Sequence, residues 1–367
     1  MLKRLFSLVE KEPIFFTLLV AYAALLAYNT HFLNAALVEW NTVAIIASFI
    51  IINTGLLLSG GIDFIAALVL SKVGSVRNLY LFSVMFTVLV SMLMTNDASL
   101  IVLIPLTVSI GKLSGRGIGG MVVLQAIGAN VGSMLTPFGN PQNIIMFRHY
   151  ALTTPSFISS MAPAFAISML VLVAFTLVLG RRGGRLTGTA PKQYGTALFY
   201  SSLALFVADV ACFLLGASTW AFIALSIASA ALMLAFRPKG VSKAHAIARI
   251  DFFLILSFVL IFLVINSAAT MLPKPHEGGA ASMFLYALIA SQFISNVPST
   301  VLLQKSSLFL PLAWGANIGG NGTLIASLAN FIAYRQGGRV GAFRFMGISA
   351  AYMAIVTALA LPLLVFL

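Results

Sequence analysis

Apolar runs of helical length follow one another from just after Glu12 to Leu367, and this recurrence constrains the fold more than any other feature. A stretch of about 20 mostly apolar residues is what a helix needs to cross a hydrocarbon core. The composition agrees: 60% of the 367 residues are hydrophobic and 8% charged, and the mean hydropathy is +1.06. A water-soluble domain could not carry that surface. The first run follows Lys3, Arg4 and Lys11 as a signal peptide would, but it has no small-residue cleavage site and reads as a retained span.

Other classes are excluded by what lies between the runs. The formal charge of +13 comes from basic residues placed between spans rather than in a patch with interleaved aromatics, so no nucleic-acid partner is expected. Cys212 is the single cysteine, which rules out a disulfide framework and a thiolate metal site. No HExxH motif, paired Asp-rich diphosphate site or Walker loop is present, so the chain does not read as an enzyme, and no cofactor is expected apart from a sodium ion.

Spans are expected near residues 13–30, 42–60, 117–136, 157–180, 196–216, 218–236, 252–272, 311–334 and 345–366. Two further stretches, 79–113 and 281–308, are each long enough for two short helices but are broken by polar residues, Thr95-Asn96-Asp97 and Ser295-Asn296-Val297-Pro298-Ser299. Irregular backbone at membrane depth is tolerated only where protein or a water-filled cavity satisfies it. Both stretches therefore read as re-entrant hairpins whose tips face the interior.

Charge tests this arrangement. With the N-terminus in the cytoplasm, 18 of the 21 Lys and Arg fall inside, leaving Arg148, Lys274 and Lys305. If either hairpin crossed fully, every later basic cluster would change sides. The predicted architecture is an all-α integral membrane protein of about nine transmembrane helices plus two re-entrant hairpins. Residues 1–180 form a first inverted repeat (hairpin 79–113, interrupted helix 117–147), 181–216 a basic linker and connecting helix, and 217–367 a second repeat (hairpin 281–308, interrupted helix 311–334). A multi-pass protein of the cell (inner) membrane with an external C-terminus follows.

The repeat is also written in the motifs. Gly128-Ala129-Asn130-Val131-Gly132 has a counterpart in Gly315-Ala316-Asn317-Ile318-Gly319, with Thr136 matching Thr323 and Asn143 matching Asn330. Gly139, Pro137 and Pro141 interrupt the first copy, and Gly320 and Gly322 the second. Interrupted helices in matching positions of two halves point to a midplane binding site, because a broken helix frees N–H groups at one new end and C=O groups at the other. Asn96, Asn130, Asn296 and Asn317 supply amide donors and acceptors with no fixed charge. The plainer reading is that Gly128 with Gly132, and Gly315 with Gly319, are small-xxx-small patterns that serve only close helix packing.

Asp97 is the ionisable group at the hairpin tips, either a proton carrier, a cation ligand or a cap on a half-helix. Asp209 lies deep in an apolar run without a partner evident in sequence, and packing and function remain open there. Asp63 and Asp251 occur as Ile-Asp-Phe, which suits helix capping. His31, His149, His245 and His276 fall in or near connecting segments.

Through Thr95–Ala98, Gly128–Asn143, Ser295–Thr300 and Gly315–Asn330 the chain resembles the ion transporter superfamily of arsenite permeases, NhaD-type antiporters, citrate carriers and divalent anion symporters. The likeness is greatest to an uncharacterised anion-permease branch near the arsenite permeases. The resemblance implies a homodimer in which a domain of both hairpins and both interrupted helices moves like an elevator. It implies ion sites at Asn96 and Asn296, where sodium is possible, with Thr95, Asp97, Ser295, Ser299 and Thr300 beside them and Gly128 to Gly132 and Gly315 to Gly319 completing them. Asp97 and Val297 depart from the Ser-Asn-Thr tips of dicarboxylate carriers, and an aspartate repels an anion unless it is neutralised. The expected function is secondary transport of a small anion or oxyacid coupled to H+ or Na+, with an NhaD-like Na+/H+ antiporter as the alternative.

Overall fold

A computed structural model describes residues 12–70, 75–114, 119–180, 194–271, 278–337 and 340–366. The N-terminal basic cluster, Lys72, Arg116, most of the basic linker, Lys274 and Arg339 lie outside the described residues. Within them every regular element is helical.

Helices α1 (Pro13–Tyr28) and α2 (Trp40–Ser59) match the first two expected spans. Gly60 adopts a left-handed conformation (φ +73) that closes α2, and the short α3 (Gly61–Leu70) starts at once. The first hairpin is α4 (Val76–Leu93) and α5 (Asn96–Ser114). Ser75 caps α4, its Oγ accepting from the Asn78 N–H at 3.2 Å. The first interrupted helix is α6 (Gly119–Met134) followed by α7 (Pro141–His149), and α8 (Thr154–Leu179) completes the half. Next come α9 (Thr196–Leu214), α10 (Thr219–Ala235), the single-turn α11 (Lys243–Ile247) and α12 (Phe252–Met271). The second hairpin is α13 (Ala280–Ile294) and α14 (Asn296–Leu303). The second interrupted helix is α15 (Phe309–Gly319) and α16 (Leu328–Gly337), and α17 (Ala342–Phe366) ends the chain.

Among the described residues six helices are long and apolar enough to cross a membrane, accompanied by three shorter apolar ones. One of the six is α4, an arm of the first hairpin. At about 1.5 Å per residue, the 18 residues of α4 and 19 of α5 make this hairpin far deeper than the second, whose arms have 15 and 8 residues.

Packing sorts the helices into two groups. In one, α2 lies against α9 and α10, and α12 lies against α1. In the other, each hairpin packs along the interrupted helix of its own half, α4 on α6 and α13 on α15. Between the groups the contact is lighter, through α2 with α5 and α7 and through α12 with α14. The polar residues of the hairpin tips and helix breaks sit inside this assembly: Asn96, Asn130, Asn143, Asn296, Asn317 and Asn330 are all buried.

Candidate functional site

Each hairpin tip is anchored to the break in its own interrupted helix by the same backbone contact. The Asn96 N–H donates to the Gly139 carbonyl at 3.0 Å, and the Asn296 N–H to the Ala326 carbonyl at 2.9 Å. Gly139 and Ala326 are matching positions when Gly128 is set against Gly315. Below each tip the threonine of the break ties back to the preceding arm, Thr136 Oγ1 to the Met92 carbonyl at 2.9 Å and Thr323 Oγ1 to the Gln292 carbonyl at 3.0 Å. The tips differ in backbone. Thr95 is followed directly by α5, with Asn96 Oδ1 accepting from the Asp97 N–H at 2.9 Å, whereas Ser295 turns the chain at φ +73, a conformation strained for any residue with a Cβ.

The breaks are stapled by asparagine. At the end of α6 the carbonyls have no helical partner, and Asn143 Nδ2 lies 3.1 Å from Ser133 O, 3.3 Å from Met134 O and 3.0 Å from Thr136 O. Asn330 Nδ2 repeats this, 2.9 Å from both Gly320 O and Thr323 O. Asn140 then caps α7, its Oδ1 accepting from the Asn143 N–H at 2.9 Å, with Pro141 set for the first turn.

The two breaks also hold each other. Asn130 Nδ2 donates to Asn330 Oδ1 at 3.2 Å, and Asn317 Nδ2 donates to Asn143 Oδ1 at 2.9 Å, which is one contact written twice with the halves exchanged. Asn140 Nδ2 to Asn317 Oδ1 at 3.0 Å is mirrored by Ser327 Oγ to Asn130 Oδ1 at 3.2 Å. Asn96 joins this cluster through Nδ2 to Asn130 Oδ1 at 3.2 Å. Ser299 and Thr300 instead bond within their hairpin, to Ala287 O at 3.2 Å and Asn296 O at 2.8 Å. Thus many of the amides singled out in sequence have partners from the protein itself.

The four motif glycines sit where helices touch. A Cβ on Gly132 would collide with the Val88 carbonyl and one on Gly315 with the Phe284 carbonyl, while on Gly319 it would come within 2.8 Å of Leu288 Cα and on Gly128 within 3.3 Å of Val84 O. Close helix approach accounts for all four.

One face of the first tip is open. A cavity of about 340 Å3 is lined by Thr95 and Asp97 at the start of α5, Pro141 at the start of α7, Asp251 at the start of α12, Arg249 just before it and Asn53 of α2. Three helix N-termini therefore reach this space, and N–H ends carry partial positive charge. Asp251 caps its own helix, accepting from the Leu254 N–H at 2.8 Å, as its Ile-Asp-Phe context suggests. At its wall Asn53 Nδ2 is 3.5 Å from Thr95 Oγ1, while Asn53 Oδ1 and Asp97 Oδ1 are buried among protein atoms without a hydrogen-bond partner. Asn53, Arg249 and Asp251 were not read as site residues from sequence. The available signal was weak: an amide inside the apolar run 42–60 is costly there unless something receives it.

Asp209 lies elsewhere, fully buried between α9 and α2, its carboxyl oxygens 2.9 and 3.1 Å from Ser48 Oγ. Among the described residues no group of three or more His, Cys, Asp or Glu is arranged to hold a metal ion.

Residues 5–306 match the profile of the citrate transporter family, CitMHS. The protein belongs to the CitMHS family. It is thus a multi-pass membrane transporter and not an enzyme. Inner membrane protein YbiR of Escherichia coli (strain K12) is 29% identical over 314 residues, covering 82% of this chain and 81% of its own. Uncharacterized transporter MJ0456 of Methanocaldococcus jannaschii is 30% identical over 332 residues, covering 85% and 86%. Uncharacterized transporter Rv2685 of Mycobacterium tuberculosis is 25% identical over 137 residues, 37% of this chain and 32% of its own length.

Proposed function

We propose that this CitMHS member is a secondary active transporter of a small anion or oxyacid, coupled to H+ or Na+, with citrate the first substrate to test. The observation that carries the reading is the cavity at the first tip, where three helix N-termini and the Arg249 guanidinium attract negative charge beside the Asp97 and Asp251 carboxylates that repel it. An anion enters such a site once Asp97 is protonated or paired with a cation, and that condition is what couples two fluxes. The matched contacts of the tips and breaks support two structurally equivalent halves, 1–180 and 217–367, with 181–216 between them. The alternation of basic clusters supports their being inverted, with both hairpins re-entrant, the N-terminus cytoplasmic and the C-terminus external. Under this reading the hairpins and interrupted helices travel together as an elevator against the α2, α9, α10 and α12 group, in a homodimer.

The unpartnered Asp97 Oδ1 favours a second reading, a Na+/H+ antiporter with no anion substrate. Uptake into liposomes of citrate, arsenite, sulfate, phosphate and sodium, each under an imposed pH or sodium gradient, separates the two. Saturable gradient-driven uptake of one anion, absent in Asn96→Ala, is the expected result. Sodium exchange for protons with no anion flux would replace the first reading by the second.

A further inference from the structure

We infer that Glu39 and Gln304 form a latch that holds the second hairpin against the start of α2 and thereby favours the conformer in which the cavity farther along α2 is open. Glu39 directly precedes α2 and Gln304 directly follows α14. Gln304 Nε2 donates to Glu39 Oε1 at 3.2 Å, and Glu39 Oε2 accepts from Thr42 Oγ1 at 3.2 Å. The carboxylate is thus held by its own helix and grips the other group. Among the described residues, one other side-chain hydrogen bond joins residues 39–59 to the hairpin group, Asn53 Nδ2 to Thr95 Oγ1, and it is stretched to 3.5 Å. The cavity lies toward the opposite end of α2, lined by side chains from Ile46 to Leu58, and Leu57 stands roughly 25 Å along the helix from Glu39. The hairpin group is therefore tied to α2 at one end and parted from it at the other.

The latch is built to let go. Gln304 is 3% exposed and its Oε1 is buried with no hydrogen-bond partner. Its donor is satisfied while its acceptor is not, so lifting the end of α14 would give Oε1 water and offset part of the bond lost from Nε2. An element that must release once per cycle needs a hold of that kind. The matching end of the molecule has no such hold. When the two halves are set against each other, Asp251 before α12 stands for Glu39 before α2, and with Asn96 set against Asn296 the residue that stands for Gln304 is Ile104. Asp251 caps its own helix and lines the cavity instead of reaching a hairpin end. One polar latch at one end biases the exchange between the two states of an inverted-repeat carrier toward the state seen here. The inference rests on the proposed reading in which the hairpin group moves against α2, but it does not depend on which solute is carried.

The test uses the purified full-length protein in detergent, in a Cys212→Ala background, with the rate of modification by a maleimide measured at one of two introduced cysteines. Leu57→Cys reports the open cavity, and Leu303→Cys reports the buried end of α14. Gln304→Glu sets a second carboxylate against Glu39. It should slow Leu57→Cys and speed Leu303→Cys, changing the ratio of the two rates about tenfold, as expected for loss of a hydrogen bond to a charged group. Adding Glu39→Gln restores a donor opposite the new carboxylate and should return both rates to their starting values. A general loosening of the fold would speed both cysteines, so parallel changes, unchanged rates, or failure of the second substitution to restore them would overturn the latch. If Gln304→Glu does not fold, Glu39→Ala decides by the same two rates, opposite changes supporting the latch and any other result rejecting it. Opposite changes in a protein that moves no anion in liposomes would keep the latch while rejecting the anion-transport reading. Anion flux with both rates unmoved by Gln304→Glu would do the reverse.

Discussion

At the scale of single residues, the structure separates two kinds of polar side chain that look alike in sequence. Asn130, Asn143, Asn317 and Asn330 spend their amides on helix breaks and on one another, whereas Asn53 and Asp97, two residues that line the cavity, each bury an oxygen with no hydrogen-bond partner. The first group holds shape and the second has capacity to bind. The glycines follow the shape side. Gly132→Ala drives a methyl into the Val88 carbonyl, which as backbone cannot rotate away, so a loss of about 1–3 kcal/mol of stability is expected, seen as a lower Tm in detergent. Gly347→Ala is the control, since a Cβ there meets nothing within 4 Å and Ala is the better helix former. Asp97→Asn tests the binding side. It preserves size and hydrogen bonding but cannot exchange a proton or carry charge, so the variant should still exchange substrate across a liposome membrane while losing accumulation driven by a gradient. Wild-type accumulation in Asp97→Asn would move coupling away from the tip, with the buried Asp209 the next carboxyl to examine.

At the scale of elements, the helices were legible because hydropathy reports what lipid and core require, and each expected span has a helix or a broken pair of helices within a few residues of it. The breaks were legible because Gly and Pro mark them, and each hairpin does divide at its polar stretch, at Thr95 and at Ser295, although Asn96–Asp97 and Asn296–Ser299 form the first turns of α5 and α14 rather than the break itself. What sequence missed is short or tertiary. The α3 helix was hidden because Gly60 turns the chain without interrupting the apolar run. Asn53 was hidden because one amide scarcely changes the average of its span, and its orphaned oxygen appears only when α2 meets α5. Arg249 and Asp251 read as a loop charge and a cap, and nothing local indicates that the start of α12 reaches the cavity. The depth of the first hairpin can be tested, since α4 by itself is long and apolar enough to cross. In a Cys212→Ala background, a cysteine at Ser242 should react with a membrane-impermeant thiol reagent only from the cytoplasmic side, and cysteines at Ser156 and Ser218 only from outside. Labelling of Ser242 from outside would mean that an odd number of crossings separates it from the expected side, as when the first hairpin stretch crosses once instead of returning.

At the scale of the whole molecule, the contacts define which parts can move together. Reciprocal amide bonds tie the first break to the second, and the backbone N–H of each tip ties its hairpin to its own break, so both hairpins and both interrupted helices are bound by a continuous set of hydrogen bonds. Against α2 the same unit is separated in part by the cavity, which is lined by Leu57 from α2 and Ile101 from α5. A boundary that combines a cavity with light packing is where displacement costs least, because few buried contacts are given up. Joining the two sides should therefore stop transport without damaging the site. Leu57→Cys with Ile101→Cys, again without Cys212, uses two positions outside the polar ligand set. Bridging them with a short bifunctional reagent cleavable by reductant should abolish flux, reduction should restore it, and either single cysteine should be insensitive to the reagent. Full flux in the bridged protein would show that the hairpin unit does not slide against α2, and alternating access would then have to arise from opening at the tips alone.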